Sequence, residues 1–229
     1  MGVGSRKARP VLRPPISGDL GLGAANGQEV HSVSRAEAMR EVAEGVRDLR
    51  ESPLYEYRVE NGYQPVIGEG DLHATLMIIG EAPGEQEARS GRPFVGAAGQ
   101  VLDELLASIG LRREAVYITN VVKDRPPGNR NPRVAEIALY RPFLLRQIEI
   151  IQPKVIATLG SFSLAFVLSA LGLPEAGQRI SALHGQVLRA TAPYGEVAVV
   201  PLYHPASAFY RRDLREVMES DLRALRELL

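Results

Sequence analysis

The sequence predicts an α/β domain, a three-layer α/β/α sandwich around a central four-stranded parallel sheet. Three observations predict it. Short apolar runs at residues 74–79, 115–122, 155–159 and 197–202 alternate with helical stripes. That rhythm is the one right-handed crossovers between parallel strands produce. Several runs end abruptly, at Gly80, Asn120, Gly160 and the His204-Pro205 pair, and Gly, Asn and Pro are residues that interrupt strands. The chain has 229 residues, 45% hydrophobic and 24% charged, enough to bury one full core without covalent staples.

The elements follow in order. Residues 1–33 are rich in Gly and Pro, and carry Arg6, Lys7, Arg9 and Arg13 before the first acid, Asp19. They read as a solvated extension, with a basic arm on nucleic acid as the alternative. The domain is expected over residues 34–229. Ser34 and Glu37 have capping-box spacing, and Met39, Val42, Val46 and Leu49 form the stripe of a first helix. Pro53 is expected to close it, before a loop holding Gly62, Pro65, Gly68 and Gly70. After the strand at 74–79, Val101, Leu102, Leu105, Leu106 and Ile109 mark a helix stopped by Gly110. Residues 134–151 are helical by period, and Pro142 is expected to kink or split them. Residues 162–171 form a helix stopped by Gly172, and Asp213 with Glu216 caps a last helix carrying Leu214, Val217, Leu222 and Leu225.

Composition excludes several chemistries. Cys is absent, which removes disulfides, thiolate zinc sites, iron–sulfur clusters and cysteine nucleophiles together. Trp is absent and aromatics are 6%, so any base-stacking site uses Phe or Tyr. Lys+Arg and Asp+Glu both count 27, so a nucleic-acid partner must be argued from a local surface. No apolar run reaches membrane-span length, and the N-terminus has no apolar signal region. A cytoplasmic monomer is the expectation.

The strand ends carry the candidate chemistry. A parallel sheet binds ligands at its carboxyl edge, which would gather Gly80-Glu81-Ala82-Pro83-Gly84, Asn120 and Tyr203-His204-Pro205-Ala206. Gly80 and Gly84 permit close backbone approach, while Glu81, Glu85 and Glu87 crowd the turn with more acid than a turn needs. Phe94, after Pro93 and between Gly91 and Gly96, is either core or one wall of a stacking slot. Asn120 either bonds its own loop or offers its amide to a planar ring. His204, held by Pro205, is placed for chemistry at a strand end.

These motifs resemble the family 4 uracil-DNA glycosylases of bacteria and archaea. The match runs through residues 80–84, 91–96, 118–123 and 203–206, with Arg125-Pro126-Pro127, Asn129-Arg130 and Pro153-Lys154-Val155-Ile156. It covers roughly residues 41–225. The resemblance implies a base-excision repair enzyme that flips deoxyuridine out of DNA, hydrolyses its N-glycosidic bond, releases uracil and leaves an abasic site. It implies that Gly80, Ala82 and Gly84 line the pocket, that Phe94 stacks on uracil, and that Asn120 bonds its Watson–Crick edge. Glu87 is then a wall against the thymine methyl. His204 donates to uracil O2, where negative charge develops. A related family carries Asp at the position of Ala82. Here Glu81, positioned by Asn129, either orients the water or orders the loop. Phe209 or Tyr210 resembles the wedge that fills the space of the flipped base, with packed aromatics as the plainer reading. Arg211 and Arg212 would contact phosphates, and Lys123, Arg125 and Arg130 would extend the basic surface.

One departure stands out. The family holds a [4Fe–4S] cluster on four cysteines, which fall at Asp124 and Tyr140 and near Leu49 and Ser52. No such cluster can form on these residues, and no cofactor is expected. A metal-free plug is expected instead, with Asp124 paired to a hydroxyl or to an arginine, Arg47, Arg50 and Arg125 being near in sequence. The loss also motivates a rival, a non-catalytic or weakened binder of uracil-containing DNA. A second rival, a nucleotide-handling enzyme with a phosphate cradle, lacks the Gly-Lys-Ser/Thr and Gly-x-Gly-x-x-Gly patterns.

Overall fold

The computed structural model describes residues 33–211 and 213–229. The extension or arm read over residues 1–32, and the phosphate contact read at Arg212, lie outside the described residues. In chain order the helices are α1 (Arg35–Arg47), α2 (Pro53–Glu60), α3 (Glu85–Ser90), α4 (Ala97–Ser108), α5 (Val134–Ile151), α6 (Ser161–Ala170), α7 (Ile180–Leu183), α8 (Ser207–Tyr210) and α9 (Asp213–Arg226). The strands are β1 (Glu69–Gly70), β2 (Leu76–Gly80), β3 (Tyr117–Asn120), β4 (Val155–Leu159), β5 (Leu188–Ala192) and β6 (Gly195–Leu202).

Among the described residues the sheet has six strands in the order β1-β3-β2-β4-β6-β5. The four expected strands are its inner, parallel members. The count of four is therefore corrected by two antiparallel edges, β1 on β3 and β5 on β6. Neither edge has a strong local signature. β1 is two residues long, and β5 alternates buried and exposed positions with little apolar bulk. β5 gains its place by pairing along β6 through a tight hairpin, Ala192 opposite Gly195.

Both faces of the sheet are covered, so successive strand residues enter different cores. Met77, Ile79, Ile156 and Val199 pack with α1, α5 and α6 on one side. Leu76, Ile78, Val155 and Val200 pack with α4 and α9 on the other.

The start of α1 follows its capping box: Ser34 accepts from the Glu37 amide and the Glu37 carboxylate accepts from Ser34. Pro53 does not close α1. That helix ends at Arg47, and Pro53 instead occupies the first turn of α2 behind Ser52, whose hydroxyl accepts from the Leu54 amide. Proline suits that position because the first helical N–H has no intrahelical partner to lose. Pro142 does not split α5 either, which runs unbroken over Val134–Ile151. The bond Pro142 cannot donate is outweighed by a buried face of Tyr140, Phe143, Leu144, Ile148 and Ile151. All four inner strands point one way, so Gly80, Asn120, Leu159 and Leu202 end at one edge.

Candidate active site

Gly80 and Asn120 are register partners at the ends of β2 and β3. A methyl group at Gly80 would come within 2.6 Å of the Phe94 ring and would also strike the Asn120 amide oxygen. The glycine therefore lets three predicted residues meet. Asn120 is 1% exposed, and its amide oxygen has no hydrogen-bond partner among the described residues. A buried acceptor without a donor is costly in a folded protein, and this one lies against Gly80 beside the Phe94 ring.

Phe94 is buried and adopts φ +50°, a left-handed conformation that costs an aromatic residue about 1–3 kcal/mol. Its surroundings hold it there. The Arg113 guanidinium donates to the Phe94 carbonyl at 2.9 Å and to the Pro93 carbonyl. Arg113 is in turn paired with Glu69 at 2.6 Å and Asp103 at 3.1 Å. Gly99 leaves the room that the Phe94 carbonyl occupies. Glu87 accepts from the Val95 and Gly96 amides at 2.9 and 2.8 Å, and its other oxygen lies against Gly84. It thus ties the turn after β2 to the Phe94 loop.

The His204 ring lies 5.9 Å from the Phe94 ring, centroid to centroid. Its Nδ1 accepts from the Ala206 amide at 3.2 Å, which assigns the proton to Nε2. Burial holds the imidazole below its ordinary pKa, opposed by the Glu87 carboxylate. His204 is therefore a neutral Nε2–H donor at neutral pH. Gly160, at φ +91°, makes space for it, since a methyl there would sit 3.3 Å from the His204 Cβ. Glu81 is half-buried beside these groups in sequence. Burial raises its carboxyl above the usual range with no bond or cation opposing it.

Other expectations are corrected. Asn129 does not position Glu81: its amide oxygen accepts from Arg125 at 2.8 Å within an exposed turn. Lys123 is no phosphate contact, being 0% exposed with its ammonium inside the protein. Arg125 is also buried, donating to Tyr63 at 2.6 Å and paired with Glu85 at 3.2 Å. It braces α3 against the turn Pro127–Asn129. Arg130 pairs with Glu136 at 2.6 Å. By contrast Phe209 and Tyr210, on α8 just after His204, are 52% and 89% exposed, so they are not packed aromatics. Arg211 is exposed beside them and paired with Asp213. Ala82 is half-buried against the core. Sequence reasoning missed Arg113, Gly99 and Gly160, whose roles depend on partners far along the chain.

Leu49, Ser52, Asp124 and Tyr140, at or near which the resemblance implies cluster cysteines, form a different structure. The Tyr140 hydroxyl donates to Asp124 at 2.6 Å and lies 3.0 Å from the Ser52 hydroxyl. Arg58 donates to both Asp124 oxygens at 3.1 and 3.2 Å, and also to the carbonyls of Val46 and Arg47. Leu49 packs against the same core. Asp124 is thus paired to a hydroxyl and an arginine, though the arginine is Arg58. Burial raises the Asp124 carboxyl, while Tyr140 and Arg58 pull it down. These residues do not fit an iron–sulfur cluster. They offer no thiolate, and the single carboxylate is already bonded on both oxygens.

A model of the uracil DNA glycosylase superfamily matches residues 67–226. The type-4 uracil-DNA glycosylase of Sulfurisphaera tokodaii is 42% identical over 193 residues, covering 84% of this chain and 85% of that protein. The type-4 enzyme of Thermotoga maritima is 40% identical over 193 residues, covering 82% and 93%. A type-5 uracil-DNA glycosylase of Pyrobaculum aerophilum is 33% identical over 158 residues, covering 62% and 66%. With these residues gathered at one edge of the sheet and similarity of this extent, the chain belongs to the uracil DNA glycosylase superfamily, on the side of its type-4 members.

Proposed function

We propose that this protein excises uracil from DNA, hydrolysing the N-glycosidic bond of deoxyuridine and leaving an abasic site. The observation that supports the reading is that two side chains of opposite hydrogen-bond capacity, Asn120 and His204, both lie close to the Phe94 ring. Asn120 holds an acceptor without a donor, and His204 holds a donor on Nε2. Uracil presents N3–H to the first and O2 to the second. Cytosine has no proton on N3, so Asn120 disfavours it.

As the C1′–N1 bond lengthens, its electron pair moves onto the base and charge gathers on O2. The sugar becomes oxocarbenium-like and then adds water, forming the C1′–O bond, while the proton that water loses neutralises the departing uracil anion. A neutral imidazole bonds the forming anion better than the ground-state carbonyl, and one such donor is typically worth about 3–4 kcal/mol. Glu81, its carboxyl raised by burial, is the group proposed to orient the water. Phe94 stacks on the flipped ring, and Glu87 is the wall against a 5-methyl group. Phe209 and Tyr210 supply the exposed wedge. The reading includes no cofactor, a monomer and a cytoplasmic setting. Among the described residues no helix is long and apolar enough to cross a membrane.

A labelled uracil-containing oligonucleotide tests this. Incubation followed by alkali should cut the strand at the uracil. A gel shift without cutting would favour a non-catalytic binder, and the absence of both would discard DNA as substrate in favour of a nucleotide-handling enzyme.

A further inference from the structure

Lys123 stands three residues beyond Asn120, and nothing above gives it a role. It is one of three lysines in a chain with 27 basic side chains in all, the other two being Lys7 and Lys154. It is also completely buried. Its Nζ lies 2.7 Å from the Asn120 main-chain carbonyl, 2.7 Å from Thr119 Oγ1 and 2.5 Å from Gln147 Oε1.

The partners are committed as acceptors. Thr119 already donates its proton to the Ile67 carbonyl at 2.7 Å. Gln147 donates its NH2 to Ile67 and to the Tyr117 hydroxyl at 2.9 and 3.1 Å, so its oxygen faces the lysine. Three acceptors match the three N–H bonds of an ammonium. A neutral amine would press its lone pair against one of them. Burial pushes the ammonium's pKa well down, and no carboxylate among the described residues opposes that shift. The neighbouring carboxylate, Asp124, is turned to Arg58 instead. A buried positive charge without a counter-ion is costly, and this one touches the residue whose amide meets the base.

We infer that Lys123 is a positioning residue for uracil excision: its ammonium locks the end of β3, fixing Asn120, and its unneutralised charge lies behind the uracil edge where negative charge develops. This rests on the excision reading above. For a separation on the order of 8 Å between this charge and the ring, about two hydrogen bonds and the width of the Asn120 residue, the effect can be bounded. At an effective dielectric of about 20, that changes a rate roughly tenfold to thirtyfold, depending on how much charge the base has gained.

The test compares leaving groups. Lys123→Met keeps the length of the side chain and removes the charge. Single-turnover release of uracil should fall roughly tenfold to thirtyfold relative to wild type, with affinity for abasic-site DNA changed less than about twofold. Release of 5-fluorouracil, whose anion needs less help, should fall at least about threefold less. Equal losses on both bases, a loss confined to DNA affinity, or wild-type rates would overturn the inference. Failure of the wild type to release either base would instead defeat the excision reading. A measurement on the unaltered protein guards against a variant that does not fold. With 15N-lysine labelling, Lys123 should give a solvent-protected ammonium signal at neutral pH, and a neutral amine there would overturn the inference.

Discussion

Asp124 and Asn120 stand four residues apart on one connection, and their buried side chains are treated in opposite ways. Around Asp124 both oxygens are bonded: Tyr140, Ser52 and Arg58 close a network that joins α2 and α5 to the segment after β3. Among the described residues the Asn120 amide oxygen has no donor and Glu81 no cation, and Phe94 is held at φ +50°. A satisfied network stabilises the fold, and an unsatisfied one keeps capacity for a ligand. The first region should therefore be read out in stability and the second in turnover.

The largest expected effect is in the network. Arg58→Met leaves Asp124 buried with its cation gone, which should destabilise the protein by about 3–5 kcal/mol. Chemical denaturation checks it. Little change would mean that the carboxyl takes up a proton without penalty and that the contrast with Asn120 is false.

His204→Ala should slow single-turnover uracil release by about two to three orders of magnitude. Its affinity for DNA should change only a few-fold, since the donor acts mainly on charge that appears in the transition state. Wild-type release would remove His204 from the chemistry.

Asn120→Ala sharpens the comparison most directly. It should reduce release about tenfold to hundredfold, the value of one bond to the base. Yet the melting temperature should hold steady or rise, because an unpaired buried acceptor is removed. A fall like that of Arg58→Met would show that Asn120 serves the fold first.

Tyr140→Phe removes one bond to the Asp124 carboxylate and keeps the ring. It should cost about 1–3 kcal/mol of stability and leave uracil release per folded molecule unchanged. A loss of release in the folded variant would couple the two regions.

The smallest effect is in pH. Burial holds folded His204 below its ordinary value of 6.5, so the unfolded chain binds more protons just below that pH. The contribution is complete above 6.5 and is lost as pH falls toward the depressed folded value. The stability of His204→Ala should fall less over that window. Parallel curves for variant and wild type would show that the imidazole is not kept neutral by the fold.

Much of the frame is legible in the sequence. The strand at 155–159 and the Ser34–Glu37 cap are local patterns, written in neighbouring residues. So is the convergence at the carboxyl edge, because parallel strands must end together. Prolines read poorly. Pro53 signals a boundary, but whether it ends one helix or starts the next depends on Ser52 capping from behind. Basic residues read worst: Lys123 and Arg125 looked like a surface for DNA, and both are inside.

By itself the sequence determined the α/β rhythm, the inner strands, the absence of thiolate chemistry and which side chains are candidates for the proposed reaction. These depend on period, composition and backbone preference, which act over a few residues. Tertiary structure alone decided which cation neutralises Asp124, what holds Phe94 in its left-handed conformation, and that the Lys123 ammonium turns inward. Arg58, Arg113 and Gln147 meet their partners across 66, 19 and 24 residues. Charge and hydrogen-bond capacity are visible in a residue's name, but their use depends on distance and burial, which exist only once the layers have packed.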